Sequence, residues 1–316
     1  MKKSIIVAPE NCCGVDWVKK AAELGLDTLA FHTGGVRHDL LEALREVRTP
    51  EFREHCTRAG LFYEYEEHAT ENLLPSALFS SHPEYFACDP DGTRQSGPRA
   101  GWCPSAPGMA ERIVDGAEKL ARALCPSSHN YYFWGADAAN SICRCPKCAK
   151  FSRADLNVLN ANLIAEGVRR ADPRGRVSLL VYTRGSFELP EKVVPHEALF
   201  LEFAPIHRHF DTSIAEEKDE VNAGYRRDLE RFLAYFSPER VHVLEYWLDV
   251  SLFSRWRLPM KKLGCPPEVI RRDLDYYFSL GIRNFSTFAV MMGKDYFERF
   301  GDEELRTYCE TLNNLF

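Results

Sequence analysis

Three cysteines and an aspartate lie close together near the middle of the chain. Cys143, Cys145 and Cys148 form a C-x-C-x-x-C pattern that begins six residues after Asp137. Three thiolates on one short loop suit zinc, so the pattern predicts a structural metal site. Asp137 follows a strand-like run at 130–135, which is where parallel α/β barrels place catalytic carboxylates. The alternatives are buried thiols without a metal, and an aspartate that only caps the cysteine loop.

The elements that must position these residues alternate regularly along the chain. Helix-like segments separate eight predicted strands: 4–8, 27–32, 61–65, 130–135, 177–182, 198–203, 241–246 and 284–290. Ser152 and Asp155 resemble a capping box that opens a helix running to Arg170. Further helices are predicted at 16–24, 38–48, 110–124, 267–280 and 302–315. This alternation predicts an α/β protein with a (β/α)8 TIM barrel.

An open doubly wound sheet is the alternative fold. It would carry a glycine-rich phosphate loop after the first strand, and the sequence from Pro9 to Gly14 contains no G-x-G-x-x-G. No Gly/Ser-rich linker divides the chain, so we expect a single barrel domain over 1–316. A stretch rich in Pro, Gly and Ser predicts a long insertion after the third strand, at about 66–107.

Composition limits the possible partners. The 316 residues are 45% apolar and 27% charged, as in an ordinary globular protein, and the net charge of −6 argues against nucleic-acid binding as the main role. No run of 18 apolar residues exists, and the first apolar run is too short for a signal peptide. We therefore expect no membrane association and a cytoplasmic protein whose 11 cysteines are mostly reduced. Formation of a homo-oligomer is left open.

In a barrel, the residues that follow the strands define the site. The candidates for substrate binding are polar or aromatic residues near predicted strand ends and in the long insertion: Glu10, His32, Glu64, His68, Arg99, Trp134, Tyr182, Arg184, Glu202, His207, Arg208 and Trp247. Abundant carboxylates with aromatics nearby are what glycoside hydrolysis uses. The alternatives are that the acids bind a metal or arginines, and that Trp134 and Trp247 belong to the core.

Glu245 lies in the apolar strand 241–246. A carboxylate is costly to bury without a partner, so we expect either a catalytic role or a buried ion pair for it. The carboxylates Asp137 and Glu245 would follow strands four and seven, on roughly opposite sides of a barrel, where they can flank one glycosidic bond.

A string of motifs resembles a known family. From His68 the sequence reads H-A-T-E-N-L-L-P, later H-P-E-Y-F-A and W-C-P-S-A-P, and then W-G-A-D-A-A-N-S-I-C-R-C-P-K-C. Over roughly residues 60–210 this resembles the bacterial proteins called domain of unknown function 4838. The resemblance implies a barrel similar to glycoside hydrolases such as the α-glucuronidases.

A second resemblance is local. Cys103-Pro104-Ser105-Ala106-Pro107, then Asp137, then the C-x-C-x-x-C cysteines are similar in order and spacing to family 42 β-galactosidases. The resemblance implies that Cys103, Cys143, Cys145 and Cys148 hold a structural zinc ion, that Asp137 is the acid/base and that Glu245 is the nucleophile. The chain departs from that family at strand four, where Ala136-Asp137 replaces Asn-Glu.

We therefore expect a glycoside hydrolase that acts on a small oligosaccharide or glycoside through two carboxylates, with retention of configuration. Inversion is the alternative, because Asp is one methylene shorter than Glu and widens the gap between the carboxylates. A non-catalytic carbohydrate-binding barrel and a metal-dependent barrel enzyme are the other possibilities. Basic loop residues suggest an acidic sugar as substrate: Arg94, Arg99, Arg184, His207, Arg208 and His209.

Overall fold

The structure, a computed structural model, describes residues 1–34, 39–97, 99–138, 141–182 and 187–315. Within these ranges eight parallel strands follow one another around a closed barrel, with helices between them. The strands are β1 (Lys2–Val7), β2 (Thr28–Phe31), β3 (Phe62–His68), β4 (Asn130–Trp134), β5 (Arg176–Val181), β6 (Leu199–Phe203), β7 (Val241–Glu245) and β8 (Asn284–Phe288). The predicted (β/α)8 barrel is confirmed, and the open sheet is wrong.

The helices differ in length and role. They are α1 (Trp17–Glu23), α2 (Leu40–Ala43), α3 (Pro50–Arg58), α4 (Thr70–Leu73), α5 (Met109–Leu124), α6 (Arg153–Ala171), α7 (Glu220–Tyr235), α8 (Val250–Phe253), α9 (Pro267–Ser279), α10 (Lys294–Phe300) and α11 (Glu303–Leu315). In the part of the chain that the structure describes, none of these helices has the length and apolar character that crossing a membrane requires.

The sequence does not predict five of these helices, α3, α4, α7, α8 and α10, although the two longest of them carry capping signals. The side chain of Asp219 accepts hydrogen bonds from two backbone N–H groups at the start of α7, and Thr49 caps α3, where Pro50 follows as the first helical residue. The capping box of α6 is confirmed, since Ser152 and Asp155 exchange both of its hydrogen bonds. Strand β3 runs to His68, three residues beyond its predicted end.

The chain divides into two compact units, of which the first comprises 1–32, 46–64 and 201–316. Here β1 pairs with both β2 and β8, and Ser4 is in register with Thr28 and Ser286. These strands are rich in buried Ile, Val, Leu and Phe, as parallel strands covered on both faces require. Lys2 and Glu64 form a buried ion pair at 2.6 Å.

The second unit comprises 33–45 and 65–200. Its strands β4 and β5 pair in parallel, and α5 and α6 pack closely against each other. The connection between β3 and α5 contains α4, two short 3-10 turns and the antiparallel bridges Phe86–Trp102 and Cys88–Arg94. This connection lies where the sequence predicts the long insertion.

The contact between α5 and α6 depends on Gly167. A Cβ atom at this position of α6 would lie 2.1 Å from the carbonyl oxygen of Val114 and 2.8 Å from the Cβ of Ala117, both on α5. A Cβ atom added to Gly224, in the interior of α7, would have open space within 4 Å. The two glycines therefore form a matched pair.

We expect Gly167→Ala to lower the free energy of unfolding by about 1–3 kcal/mol, because the two helix backbones must move apart. Gly224→Ala should raise it by about 0.5–1 kcal/mol, because alanine is the better helix former in open space. Urea unfolding followed by circular dichroism measures both. Equal effects of the two substitutions would contradict this account of the helix contact.

Candidate functional site

Two aromatic rings meet at the carboxyl ends of β3 and β4. His68 and Trp134 are the last residues of these strands and stand in register, and their rings pack edge to face with centroids 5.2 Å apart. The His68 Nδ1 donates to the carbonyl oxygen of Gly135 at 2.7 Å, since that oxygen can only accept. Burial lowers the pKa of His68, so the ring is neutral near pH 7 and Nε2 is its basic nitrogen.

Asp137 and Tyr182 complete the group. Tyr182 directly follows β5 and donates its hydroxyl to Oδ1 of Asp137 at 2.7 Å. Burial and the charge of Asp137 raise the pKa of Tyr182, so the phenol stays a donor at every physiological pH. Asp137 itself is exposed, whereas Tyr182 is half-buried and its ring lies 6.2 Å from that of His68. A fixed donor therefore orients a carboxylate that solvent and ligand can reach.

A cavity next to this group lies between the β4–β5 strands and α6. His68, Trp134 and Tyr182 line it together with Asn157 and Asn160 of α6. The amide of Asn157 donates to the Leu180 carbonyl at 3.3 Å, and Asn160 accepts from the Trp102 indole at 2.8 Å. Apolar walls with a few fixed polar groups are typical of small-molecule sites.

Four buried thiols form a second feature in the same unit. The sulfur atoms of Cys103, Cys143, Cys145 and Cys148 all lie within 4.8 Å of one another. The Cys103 sulfur is 3.7 Å from that of Cys145 and 3.8 Å from that of Cys148. In a tetrahedron with Zn–S bonds of about 2.3 Å, neighbouring sulfurs are about 3.8 Å apart. The donor set therefore fits a metal ion, with the four cysteines as its ligands.

The surroundings of the thiols also suit a metal–thiolate centre. The backbone N–H of Cys88 donates to the Cys143 sulfur at 3.4 Å, as outer groups do to metal-bound thiolates. The segment before Cys103 packs closely against the loop before Cys143. This packing requires Gly101, because a Cβ atom at residue 101 would lie 1.7 Å from the Ser141 carbonyl oxygen.

Glu245 is buried in a charge cluster. Its side chain has no exposed surface, its Oε1 accepts from the Tyr277 hydroxyl of α9 at 2.6 Å, and the Arg208 guanidinium lies 3.5 Å away. Tyr277, Phe285 and Glu245 lie on the helix side of the β7–β8 pair, as the Tyr277–Phe285 ring contact and the register of Val243 with Phe285 indicate. This environment is that of a buried ion pair, which is the alternative to a catalytic role that the sequence offers for Glu245.

Asp273 of α9 joins Glu245 in this buried charge cluster. Arg208 also pairs with Asp273, whose carboxylate accepts from the Trp247 indole at 2.9 Å and from the Ser213 hydroxyl at 2.7 Å. Two carboxylates thus share one guanidinium. Burial raises the pKa of Glu245 to about 7, although Arg208 opposes the shift. Arg208 and Trp247 thus have a buried partner in this cluster, and the substrate-binding roles predicted for them stay predictions.

Several other predicted residues have different surroundings. Glu64 lies near the start of β3 and pairs with Lys2, because the strand continues to His68. His32 is buried against Phe288, and Glu202 is wholly buried on β6. Glu10, Arg99 and His207 are exposed, and Arg184 lies outside the described residues. The structure brings together His68, Trp134, Asp137 and Tyr182.

Three residues of this region escape the sequence prediction: Trp102, Asn157 and Asn160. The asparagines lie three residues apart on α6, so they share one helix face. Polar amides at this spacing among the apolar residues of a long helix are the signal that could have indicated them.

Comparisons with known proteins agree with the fold. The sequence model of the family described as "Domain of unknown function (DUF4838)" matches residues 41–309. No curated protein matches the chain.

Three solved structures share the fold at low identity. A β-galactosidase from the psychrophilic Marinomonas ef1 is 12% identical with a TM-score of 0.55, covering 91% of this chain and 54% of its own. PbGH5A, a glycoside hydrolase family 5 enzyme from Prevotella bryantii B14, is 11% identical with a TM-score of 0.51, and the match covers 99% of this chain and 96% of PbGH5A. A variant of the GH36 α-galactosidase AgaA from Geobacillus stearothermophilus is 11% identical with a TM-score of 0.51, and the match covers 99% of this chain and 41% of AgaA. The chain thus spans about half or less of the two galactosidases.

The thiol cluster predicts a bound metal. Protein purified without chelator should contain about one metal ion per chain, measured by inductively coupled plasma mass spectrometry. Cys145→Ser should lose the metal and unfold at a lower temperature, because metal binding contributes directly to folding free energy. Cys13→Ser, which removes an exposed thiol, is the control and should change neither quantity. Metal-free protein whose four cluster thiols react as fast as Cys13 would contradict the site.

The buried charge cluster predicts a pH dependence of stability. The folded state holds the Glu245 proton up to about pH 7, whereas the unfolded chain releases it near the usual value of 4.5. Stability should therefore fall as pH rises through this window, by up to about 1.4 kcal/mol per pH unit. Glu245→Gln cannot titrate, so its unfolding free energy should fall less over the same window in urea titrations. Parallel curves for the two proteins would contradict the assignment.

Proposed function

The chain belongs to the family of the domain of unknown function DUF4838, and we propose that it is a glycoside hydrolase with Asp137 as its reacting carboxylate. One observation carries the proposal. Asp137 is an exposed carboxylate, held by Tyr182 at the end of β4, beside His68 and Trp134. The carboxyl ends of strands are where (β/α)8 enzymes place their chemistry.

The group around Asp137 suits a sugar. Aromatic rings such as Trp134 offer a flat apolar face to a pyranose, while the asparagines of α6 and the hydroxyl of Tyr182 offer hydrogen bonds. The chain shares its fold with three glycoside hydrolases at identities of 11–12%, and this shared fold supports a glycoside hydrolase.

Asp137 acts as acid and base in the proposed mechanism. Its carboxyl group protonates the glycosidic oxygen as the bond to the sugar breaks, and the resulting carboxylate then accepts a proton from the attacking water. Tyr182 fixes the carboxyl group toward the substrate through its 2.7 Å hydrogen bond. A role for Tyr182 in orientation, rather than in proton transfer, follows from its raised pKa.

A carboxylate other than Glu245 must complete the pair. Glu64 is neutralised by Lys2, and Asp249 caps α8 by accepting from Ser251 and Leu252. Glu67 accepts from the backbone N–H and the hydroxyl of Thr33, so Glu66 is the remaining carboxylate of β3, and it is wholly buried. We propose that substrate binding opens Glu66 to the sugar.

The metal is zinc in this proposal, bound by Cys103, Cys143, Cys145 and Cys148. Four thiolates fill a tetrahedral shell and leave no position for substrate. The ion would therefore hold the loop that follows Asp137 in place and take no part in bond cleavage.

The test is a screen of aryl glycosides, galactosides and glucuronides. On any substrate that turns over, Asp137→Asn should lower kcat/KM by about 10²–10⁴-fold, since an amide cannot donate or accept the proton. Tyr182→Phe should lower kcat by about tenfold with little change in KM, because the carboxyl group loses its orientation.

Glu245→Gln is the matched control and should keep near wild-type turnover at a temperature where it is folded. Unchanged turnover in Asp137→Asn would contradict the mechanism. Sugars that bind but never react would favour a non-catalytic carbohydrate-binding barrel. Glu66→Gln tests the second carboxylate, because loss of the residue that completes the pair should lower turnover as much as Asp137→Asn does.

A further inference from the structure

A basic loop follows β7 and α8. Residues 254–262 read Ser-Arg-Trp-Arg-Leu-Pro-Met-Lys-Lys, with four cations and no acid in nine positions. All of these residues except Trp256 line a broad, open depression, together with Arg299 and Phe300 of α10. No acidic side chain among the described residues lines it. Such a concentration of positive charge is unusual on a chain whose net charge is −6.

The backbone holds the loop in a defined shape. The Ser254 hydroxyl accepts from the Lys261 N–H at 2.9 Å, and the Trp256 N–H donates to the Ser251 carbonyl at 2.7 Å. Arg255 and Trp256 both have a positive φ, of 55° and 53°. Two consecutive bulky residues in this region are strained, and such strain persists where the surrounding structure fixes it, often at functional sites.

The side chains of the loop point to solvent. Trp256 is 65% exposed and Leu258 is 76% exposed, although both are large and apolar. Arg255, Arg257 and Lys261 are exposed as well, and the described residues offer none of these three an ion-pair partner. Lys262 does have an ion-pair partner, since its Nζ lies 3.6 Å from Oε1 of Glu304. An aromatic ring is thus displayed among cations whose charge the protein leaves largely unbalanced.

We propose that this loop, with Arg299, is a binding site for an anionic oligosaccharide that carries carboxylate or sulfate groups. Guanidinium groups pair with both anions through two parallel hydrogen bonds, and the exposed indole offers a stacking face for a sugar ring. The loop follows the carboxyl end of β7, on the side of the strands that (β/α)8 enzymes use for substrate. The site extends the proposed function, on which its choice of a sugar ligand rests.

The observations favour a short sugar chain over nucleic acid. Five cations form a small footprint, and the remaining acidic surface repels a long polyanion. A short oligosaccharide can place its charges on the loop without crossing that surface.

Isothermal titration of the full chain carrying Asp137→Asn tests the proposal, since this background leaves the probes intact. The probes are an oligogalacturonate, a heparin-derived oligosaccharide, an uncharged cello-oligosaccharide of equal length and a single-stranded DNA of equal charge. At least one anionic sugar should bind about tenfold or more tightly than the neutral one, with an affinity that falls as salt rises. Tighter binding of the oligogalacturonate would identify carboxylate as the preferred anion, and tighter binding of the heparin-derived oligosaccharide would identify sulfate.

Loop variants locate the binding. Two variants should each lower the affinity for the anionic sugar by roughly tenfold: Trp256→Ala, and Arg255→Gln combined with Arg257→Gln. The effect is modest because each exposed contact contributes little binding free energy. Arg112→Gln with Lys119→Gln, two exposed cations of α5, is the matched control and should leave the affinity unchanged.

Equal affinity for the neutral sugar, tighter binding of the DNA, or loop variants that bind like the control pair would overturn the proposal. Turnover is measured separately with unsubstituted Asp137. Binding at the loop without any glycoside turnover would refute the proposed hydrolase and leave the loop site standing. Turnover without binding at the loop would refute the loop site and leave the hydrolase standing.

Discussion

The four-thiol cluster is the constraint on which the candidate site depends most. It joins Cys103, which precedes α5, to three cysteines that follow β4, so two segments about 40 residues apart in sequence are held side by side. Asp137 lies between the end of β4 and Cys143, and its carboxylate accepts a hydrogen bond from Tyr182. Gly101 permits this closeness, because any side chain there would collide with Ser141. The exposed carboxylate of Asp137 gains a defined position without being buried.

Burial separates the two carboxylates that the sequence presents as a pair. Glu245 has no exposed surface and shares Arg208 with Asp273, so its carboxyl group belongs to a buried cluster. Breaking such a cluster is costly, whereas the cluster itself adds little net stability. Asp137 has a single oriented donor and open access. The first arrangement stabilises a fold in one conformation, and the second leaves a group available for reaction.

The sequence predicts the barrel well because each strand is a short buried apolar run between helix signals. It also predicts the thiol cluster, since the spacing of three cysteines restricts them to one loop. It does not predict which residues Glu64 and Glu245 contact, for physical reasons. A strand end shifted by three residues moves Glu64 from the mouth to the start of β3, and a period-two pattern does not say which face of a fully buried strand meets the helices. The side chains that contact Glu245 are those of Arg208 and Tyr277, and they come from distant segments that no local pattern connects.

A crystal structure of the Asp137→Asn variant with an unhydrolysed glycoside is the most direct test of the central claim. We expect the sugar ring to stack on Trp134, with the glycosidic oxygen within hydrogen-bond distance of residue 137 and the Tyr182 hydroxyl still directed to that side chain. A sugar bound elsewhere, with residue 137 and Tyr182 facing only solvent, would contradict Asp137 as the reacting group.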